Sequence, residues 1–501
     1  MNNSSPVRPG SLAQRLLRWV GQLLVLAALA ALLFTQGRAA LLFFQHAQRA
    51  INFPFTLNYG EGPLLDQTMR LLRGDVLYTP ELTEPPYTIT NYPPLFIIAQ
   101  APFAASSGPG FWYGRIISTA ATVAAALMLS LLAHALTRDV IASAAAGLSL
   151  LAIPYIFHWS ALARIDALAL ALSLAGLYVL AQDPGRWFNV FASILLLTAA
   201  IYTRQTYLLT APLAAFVWLL GRRDVYRALV FAVGLASLVL AIFAISMVLT
   251  RGGFFLHLIS ANANGLDFSL ISFYASEIGR SLPLFVMGGV ISLIVGGIWK
   301  RPAWWLVAAY ALGALLSALT IAKIGSDVNY LWEFSAGLCL LAGLLIAVAR
   351  RLPILRAALL IALAIQILLA TDLSRTKYNA LLEDRLVKSE ALASVVFYLE
   401  THNDPLILAD ELTGELVISG RQIAFQPFEF SQLSRDGVWD ESPFIAALER
   451  GEYPVVMVYQ PFTNPTLRFE RWTQAMLRVL NDRFRPDFIS GETTVYRYLG
   501  S

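Results

Sequence analysis

The chain has 501 residues, of which 57% are hydrophobic and only 14% charged, and its mean hydropathy is +0.62. Soluble domains carry about 25% charged residues, so a soluble chain of this length would fail to cover its surface, and such high apolar content excludes disorder. The single cysteine, Cys339, excludes a disulfide scaffold. What remains is a polytopic α-helical membrane protein.

The charge is uneven along the chain. Residues 1–376 hold 24 Lys+Arg and 14 Asp+Glu, a net of +10, whereas residues 377–501 hold 12 and 18, a net of −6. The basic excess belongs to the membrane part and sits at loop ends rather than along a stripe. It therefore reads as topology and not as nucleic-acid binding.

About eleven apolar segments are expected to span the bilayer: 15–35, 111–136, 140–157, 165–181, 187–202, 205–220, 228–249, 282–299, 303–322, 334–349 and 354–371. The first follows Arg8, Arg15 and Arg18. It is too long for a signal peptide and lacks a clean cleavage site, so it reads as a span with a cytoplasmic N-terminus. Eleven spans place thirteen basic residues, from Arg8 to Arg356 and including Lys300 and Arg301, in short cytoplasmic segments. Only Asp139, Asp183 and Asp224 of the acidic residues fall on that side. Residues 93–106 are apolar but only about 14 long and contain three prolines, which suits an interfacial or re-entrant piece better than a span.

This topology leaves a long first extracytoplasmic loop, about 38–110. Within it, YGEGPLLDQTMRLLRGDVLY reads as an amphipathic helix on the membrane surface, ended by Gly74. Loops of that length are uncommon unless functional. Beyond the membrane part (1–376), residues 377–501 read as a small extracytoplasmic α/β domain. Its strands are expected at 405–410 and 453–460, its helices at 442–451 and 467–482, and its closing β pair in FRPDFIS and TTVYRYL. No phosphate loop, HExxH, GxSxG, D-x-D or Cys/His cluster is present.

Charged residues near a bilayer are functional candidates by default, and several gather at the outer ends of different spans. Glu61 lies between two glycines, beside Tyr59, either as a general base or as a solvated loop carboxylate. Asp166 follows Arg164 at a span start, either in the site or as a helix N-terminal charge. Arg204-Gln205 sits in a very short outer turn, where a cation suits a lipid phosphate or snorkels to a headgroup. The stretch KIGSDVNYLWE packs Lys323, Asp327, Asn329, Tyr330 and Glu333 together, as a sugar-binding edge or an aromatic belt. His257, Arg251 and Arg280 flank another outer loop, 251–281, with a gating role over a lipid donor as one reading.

Four features in this order resemble the GT-C membrane glycosyltransferases, in particular the bacterial branch similar to protein O-mannosyltransferases and aminoarabinose lipid A transferases. They are the acidic residue in YGEGPLLDQTMRLLRGDVLY, the NYPPLF and GRIIS segments, the ARIDALALAL and YTRQTYLL pair, and the eleven-span layout with an outer α/β tail. The resemblance implies transfer of a sugar from a polyprenyl-phosphate donor to an extracytoplasmic lipid, glycan or protein acceptor, at a bacterial-type plasma membrane. It makes Glu61 the catalytic base, where the family more often has Asp, and gives Arg204 and Lys323 the donor phosphate. The residues themselves add Asp166 as a second catalytic carboxylate, Arg164 for the phosphate, and Tyr59, Gln205, Asp327, Asn329, Tyr330 and Glu333 for sugar or acceptor. No cofactor is certain; a divalent metal, if used, would fall to Glu61 and Asp66. Glu61→Gln is then expected to fold and be inactive. A transporter or flippase of lipid-linked sugars, or a non-catalytic envelope assembly protein, are the alternatives.

Overall fold

The computed structural model describes residues 12–298, 302–460 and 470–500; Arg8, Lys300 and Arg301 lie outside the described residues. Each of the eleven expected apolar segments is mainly helical over its described residues, but length divides them. Among the described residues, six helices are long and apolar enough to cross a membrane, and seven if the bent pair Ser269–Ser281 and Pro283–Ile298 counts as one span. Val140–Ala152, Asp166–Gln182, Trp187–Ile201 and Gln205–Gly221 stop short of a full crossing by length alone. A count of eleven crossings therefore goes beyond what helix length supports. Residues Leu95–Ser107 form the short apolar helix expected of a non-spanning piece.

Small residues set the packing of the bundle. The helix Trp112–Thr137 buries Ser118, Ala121, Thr122 and Ala125 at helical spacing. That stripe lets it lie close to Asp166–Gln182, which offers Ala167, Leu170, Ala171 and Leu174 in return. Asp139 has two tasks: its carboxylate caps the helix Val140–Leu150 through Ala142 N at 3.1 Å and takes both contacts of Arg356, at 2.6 and 2.7 Å. A charge that is costly in hydrocarbon is thereby paired and stitches two helices together.

The first helix does not stop near residue 38. It runs from Leu12 to Asn52, because AALLFFQHAQRA contains good helix formers and no Gly or Pro. The loop expected to be extracytoplasmic, called the outer loop below, begins at Phe53. Likewise Pro353–Leu373 continues through a π turn, Ser374–Tyr378, into Asn379–Val387 without a break at 376.

The C-terminal region contains a four-stranded mixed sheet: β1 Ile407–Ala409, β2 Val455–Tyr459, β3 Phe484–Ser490 and β4 Thr493–Tyr498. Its order is β1-β2-β4-β3, with β1 and β2 parallel and the other pairs antiparallel. Helices Ser442–Glu449 and Gln474–Arg483 match the expected ones, the second from residue 474 onward.

The outer loop and this region form one layer. Tyr87 exchanges backbone hydrogen bonds with Ala424 and Gln426 at 2.8 and 2.9 Å. Its ring packs among Phe425, Phe430, Trp439 and Phe444. Glu415 accepts from Thr56 N at 3.0 Å and Thr56 Oγ1 at 2.9 Å.

The expected amphipathic helix is real and spans Glu61–Arg73, with Gly74 at φ 81° ending it. It does not lie on a membrane surface. Glu61 to Thr68 are all buried, between Leu95–Ser107 and the C-terminal layer, and Arg70 is tied to Asp66 at 2.6 Å and to Ile423 O at 2.7 Å. Its polar face is covered by another part of the chain, which periodicity alone does not reveal.

Candidate active site

A cavity of about 1080 Å³ opens where the bundle meets the outer layer. The outer loop contributes Asn58–Gly60 and Asn91–Tyr92. The bundle contributes Arg164, Arg204–Thr206 and the Lys323–Asp327 loop with Tyr330; the C-terminal layer contributes Phe428, Glu429 and Arg471.

The bundle end is cationic. Asp166, 1% exposed, receives Arg204 on one oxygen together with Asn329 Nδ2 at 3.1 Å. Arg204 also donates to Asn329 O at 3.1 Å and lies 4.5 Å from the centroid of the Tyr330 ring. The other Asp166 oxygen faces Arg164 Nε at 4.0 Å, and among the described residues neither atom has a hydrogen-bond partner. Arg164 is held over the rings of Trp159 and Tyr92 at 5.1 and 5.9 Å. Two arginines thus share one carboxylate, and Lys323 adds a third cation on the same cavity wall, where it donates to Asn262 Oδ1. Burial and the charge of Arg204 push the Lys323 ammonium down to about 8. The surplus of positive charge makes this end a site for an anion.

The wall contributed by the C-terminal layer carries a carboxylate. Glu429 accepts from Tyr59 OH at 2.6 Å and from Asn91 Nδ2 at 3.3 Å. Burial raises its carboxyl above the ordinary range, against the Tyr59 hydrogen bond and the Arg471 charge. Arg471, paired with Glu411, lies over the Tyr59 and Phe428 rings at 4.8 and 5.1 Å.

Glu61 occupies a different place. It is 0% exposed and does not line the cavity. Its Oε1 accepts from Arg115 Nε at 2.9 Å and Ala163 N at 2.8 Å; its Oε2 accepts from Arg115 Nη2 at 2.8 Å, Leu57 N at 2.8 Å and Asn58 N at 3.3 Å. Burial raises its carboxyl, but Arg115 and these donors outweigh it and hold it below the ordinary range. A carboxylate with five donors and no exposure has no lone pair to offer a substrate. The base expected at Glu61 is in place a positioning group. It fixes the backbone at Leu57–Asn58 and at Ala163, and so aims Tyr59 at Glu429 and Arg164 at the cavity. Gly60 belongs to the same device, since a Cβ there would overlap the Arg164 guanidinium.

Of the other expected site residues, Arg164, Arg204, Lys323, Tyr59, Gln205, Asp327 and Tyr330 line the cavity. Asp166 and Asn329 stand behind its wall and hold Arg204, so Asp166 is a partner of the cations rather than a second reacting carboxylate. Glu333 is buried in the bundle against Ser317 Oγ at 3.1 Å and does not line the cavity. Asp66 is consumed by Arg70 and by Ile423 N at 3.2 Å. With Glu61 and Asp66 both taken up by arginines, that pair does not fit a metal ion, and among the described residues no group of three His, Cys, Asp or Glu converges. His257 is buried, accepts from Thr90 N at 2.9 Å and bonds Thr79 O at 3.0 Å, so it braces the outer loop; Arg251 and Arg280 are exposed.

The sequence reading passed over Arg115, Asn58, Asn91, Tyr92, Glu429 and Arg471. Arg115 did carry a signal, as a lone cation opening an apolar helix within the quoted GRIIS segment. Glu429 and Arg471 lie over 300 positions from the outer loop and carry none.

No protein-family model matches the chain, and no curated protein sequence does. Solved structures do match. The apo form of ArnT from Cupriavidus metallidurans superposes with a TM-score of 0.64 at 14% identity, over 94% of this chain and 98% of that one. The same enzyme bound to undecaprenyl phosphate gives 0.60 at 14% identity, over 93% and 97%. The archaeal oligosaccharyltransferase AglB from Archaeoglobus fulgidus, in complex with an inhibitory peptide and a dolichol-phosphate, gives 0.52 at 11% identity, over 93% and 74%. Both are GT-C membrane glycosyltransferases, and the fold implied by the sequence resemblance is the fold of this chain.

Proposed function

We propose that the protein is an integral membrane glycosyltransferase that moves a sugar from a polyprenyl-phosphate donor to an extracytoplasmic acceptor. The observation that carries this reading is the cavity itself. Three cations from the bundle, Arg164, Arg204 and Lys323, share the cavity with a carboxylate and aromatic rings from the C-terminal layer, within a fold shared with an enzyme that binds undecaprenyl phosphate. The lipid phosphate would sit at the cationic end, where charge builds up on its bridging oxygen as the sugar leaves. Attack from the opposite face of the anomeric carbon gives inversion. The activated phosphate bond arrives with the donor, so no nucleotide is required. The cavity's amides and aromatic faces, among them Gln205, Asn91, Tyr92 and Tyr330, suit a sugar and a hydroxyl- or amine-bearing acceptor. We place the chain in a bacterial-type inner membrane, N-terminus in the cytoplasm and outer layer outside.

The test is to incubate purified protein with a panel of radiolabelled polyprenyl-phosphate sugars and vesicles of total bacterial lipid, and to follow label leaving the donor. Turnover of at least one donor is expected. Movement of intact donor across the vesicle bilayer without cleavage would instead identify a flippase.

A further inference from the structure

The bundle side of the cavity wall supplies a surplus of cations, and transfer also needs a group to receive the proton of the acceptor. Four carboxylates line the cavity among the described residues: Asp267, Asp327, Glu429 and Glu470. Asp267 is exposed and its Oδ1 is occupied by the Ser269 N–H at 2.9 Å. Asp327 is exposed, takes the Val328 N–H at 2.6 Å and lies in the same short loop as Lys323, at the phosphate end. Glu470 is exposed and sits beside Arg471 at 3.5 Å. Glu429 differs from all three in burial: it alone of the four is half-buried, and its hydrogen bonds come from the Tyr59 phenol and the Asn91 amide. A carboxylate has about four lone-pair sites, so two remain for a substrate proton.

We propose that Glu429 is the catalytic base that accepts the proton of the acceptor nucleophile, which makes the C-terminal layer part of the active site rather than a cap. This assignment rests on the glycosyltransferase reading. In the step, the acceptor oxygen or nitrogen bonds to the anomeric carbon while its proton passes to the Glu429 carboxylate. The bond from the anomeric carbon to the phosphate oxygen breaks, and its electron pair leaves with the lipid phosphate toward Arg204, Arg164 and Lys323. Tyr59 and Asn91 are positioning residues: each spends one hydrogen bond on a Glu429 oxygen and so fixes the direction of the remaining lone pairs. The Asn58–Gly60 loop couples the two walls, because Tyr59 reaches Glu429 and Gly60 backs Arg164.

The groups facing Glu429 are Tyr59, Asn91 and Arg471, with Glu411 and Glu470 on Arg471. Since burial raises the Glu429 carboxyl, the transfer rate is expected to climb with pH as that group loses its proton.

The experiment uses the full chain in lipid nanodiscs, the labelled donor that the wild type consumes, and vesicles of total bacterial lipid as the acceptor probe. Glu429→Gln should lower turnover by a factor on the order of 100 to 1,000, keep the donor KM within about threefold, and abolish the acid limb of the pH profile. Glu429→Ala should regain part of the lost rate on addition of formate, a rescue that a merely structural carboxylate would not show. Glu429→Asp should retain measurable turnover with a shifted acid limb, and its elution and unfolding temperature check the fold. A wild type that turns over while Glu429→Gln matches its rate and pH profile overturns this assignment alone. A folded Glu429→Ala variant without formate rescue overturns it as well. A wild type that consumes no donor overturns the function and the assignment together.

Discussion

Two buried carboxylate–arginine pairs, Glu61–Arg115 and Asp166–Arg204, use the same chemistry to different ends. Both are almost fully buried, and both join segments far apart in the chain. The first is complete: Arg115 spends its remaining donors on Ala50 O, Phe53 O and Phe55 O at 2.7, 2.5 and 2.7 Å, and Glu61 takes five donors. The second is left open. An Asp166 oxygen and Arg164 Nε face each other without a hydrogen bond, and Arg204 reaches the cavity wall. A closed pair holds architecture, because every charge is already met; an open pair beside a cavity retains charge for a ligand.

Breaking the closed pair should produce the largest effect. Arg115→Leu leaves the buried Glu61 charge with backbone donors but no counter-cation and strips the Arg115 donors from three carbonyls, a loss of about 3–5 kcal/mol. Thermal unfolding in detergent should show a large drop or no folded protein, while Glu61→Gln should lower stability by a smaller amount. A normal melting curve for Arg115→Leu would erase the distinction between the pairs.

Opening the second pair further should spare the fold and cost activity. Arg204→Lys keeps a cation for Asp166 but removes the planar fork, and donor turnover should fall by a factor on the order of 100. The melting temperature should stay within a few degrees.

Gly60→Ala is a narrower probe. The added methyl must displace the Arg164 guanidinium, so turnover should drop by roughly tenfold as the cation leaves its geometry. A rate equal to wild type would show that Arg164 does not need that position.

The smallest effect is in pH. Lys323 has its ammonium pushed down to about 8 by burial and the charge of Arg204, so its charge is present below that pH and lost above it. The donor KM should rise severalfold between about pH 7 and 9, and Lys323→Arg should flatten that rise. An unchanged slope in Lys323→Arg would remove Lys323 from phosphate binding.

Much of this was legible from residue order. The apolar segments, the outer loop with its helix ended by Gly74, the four strands and the cations Arg164, Arg204 and Lys323 follow from composition, period and turn chemistry, which act over a few residues. The roles of the carboxylates did not follow. Glu61 sits between two glycines, which reads as open access, but the glycines serve close packing and Arg115 closes over the acid. Asp66 and Arg70 look like the polar face of a surface helix until Ile423 is seen to cover them.

The sequence by itself therefore determined the apolar helical bundle, the C-terminal α/β region and the set of charges available at the helix ends. Only the tertiary structure decided which charges were satisfied and which faced a cavity. Satisfaction of a buried charge depends on donors such as the backbone of Ala163, or Tyr59 meeting Glu429 across 370 positions, and no local pattern encodes those meetings.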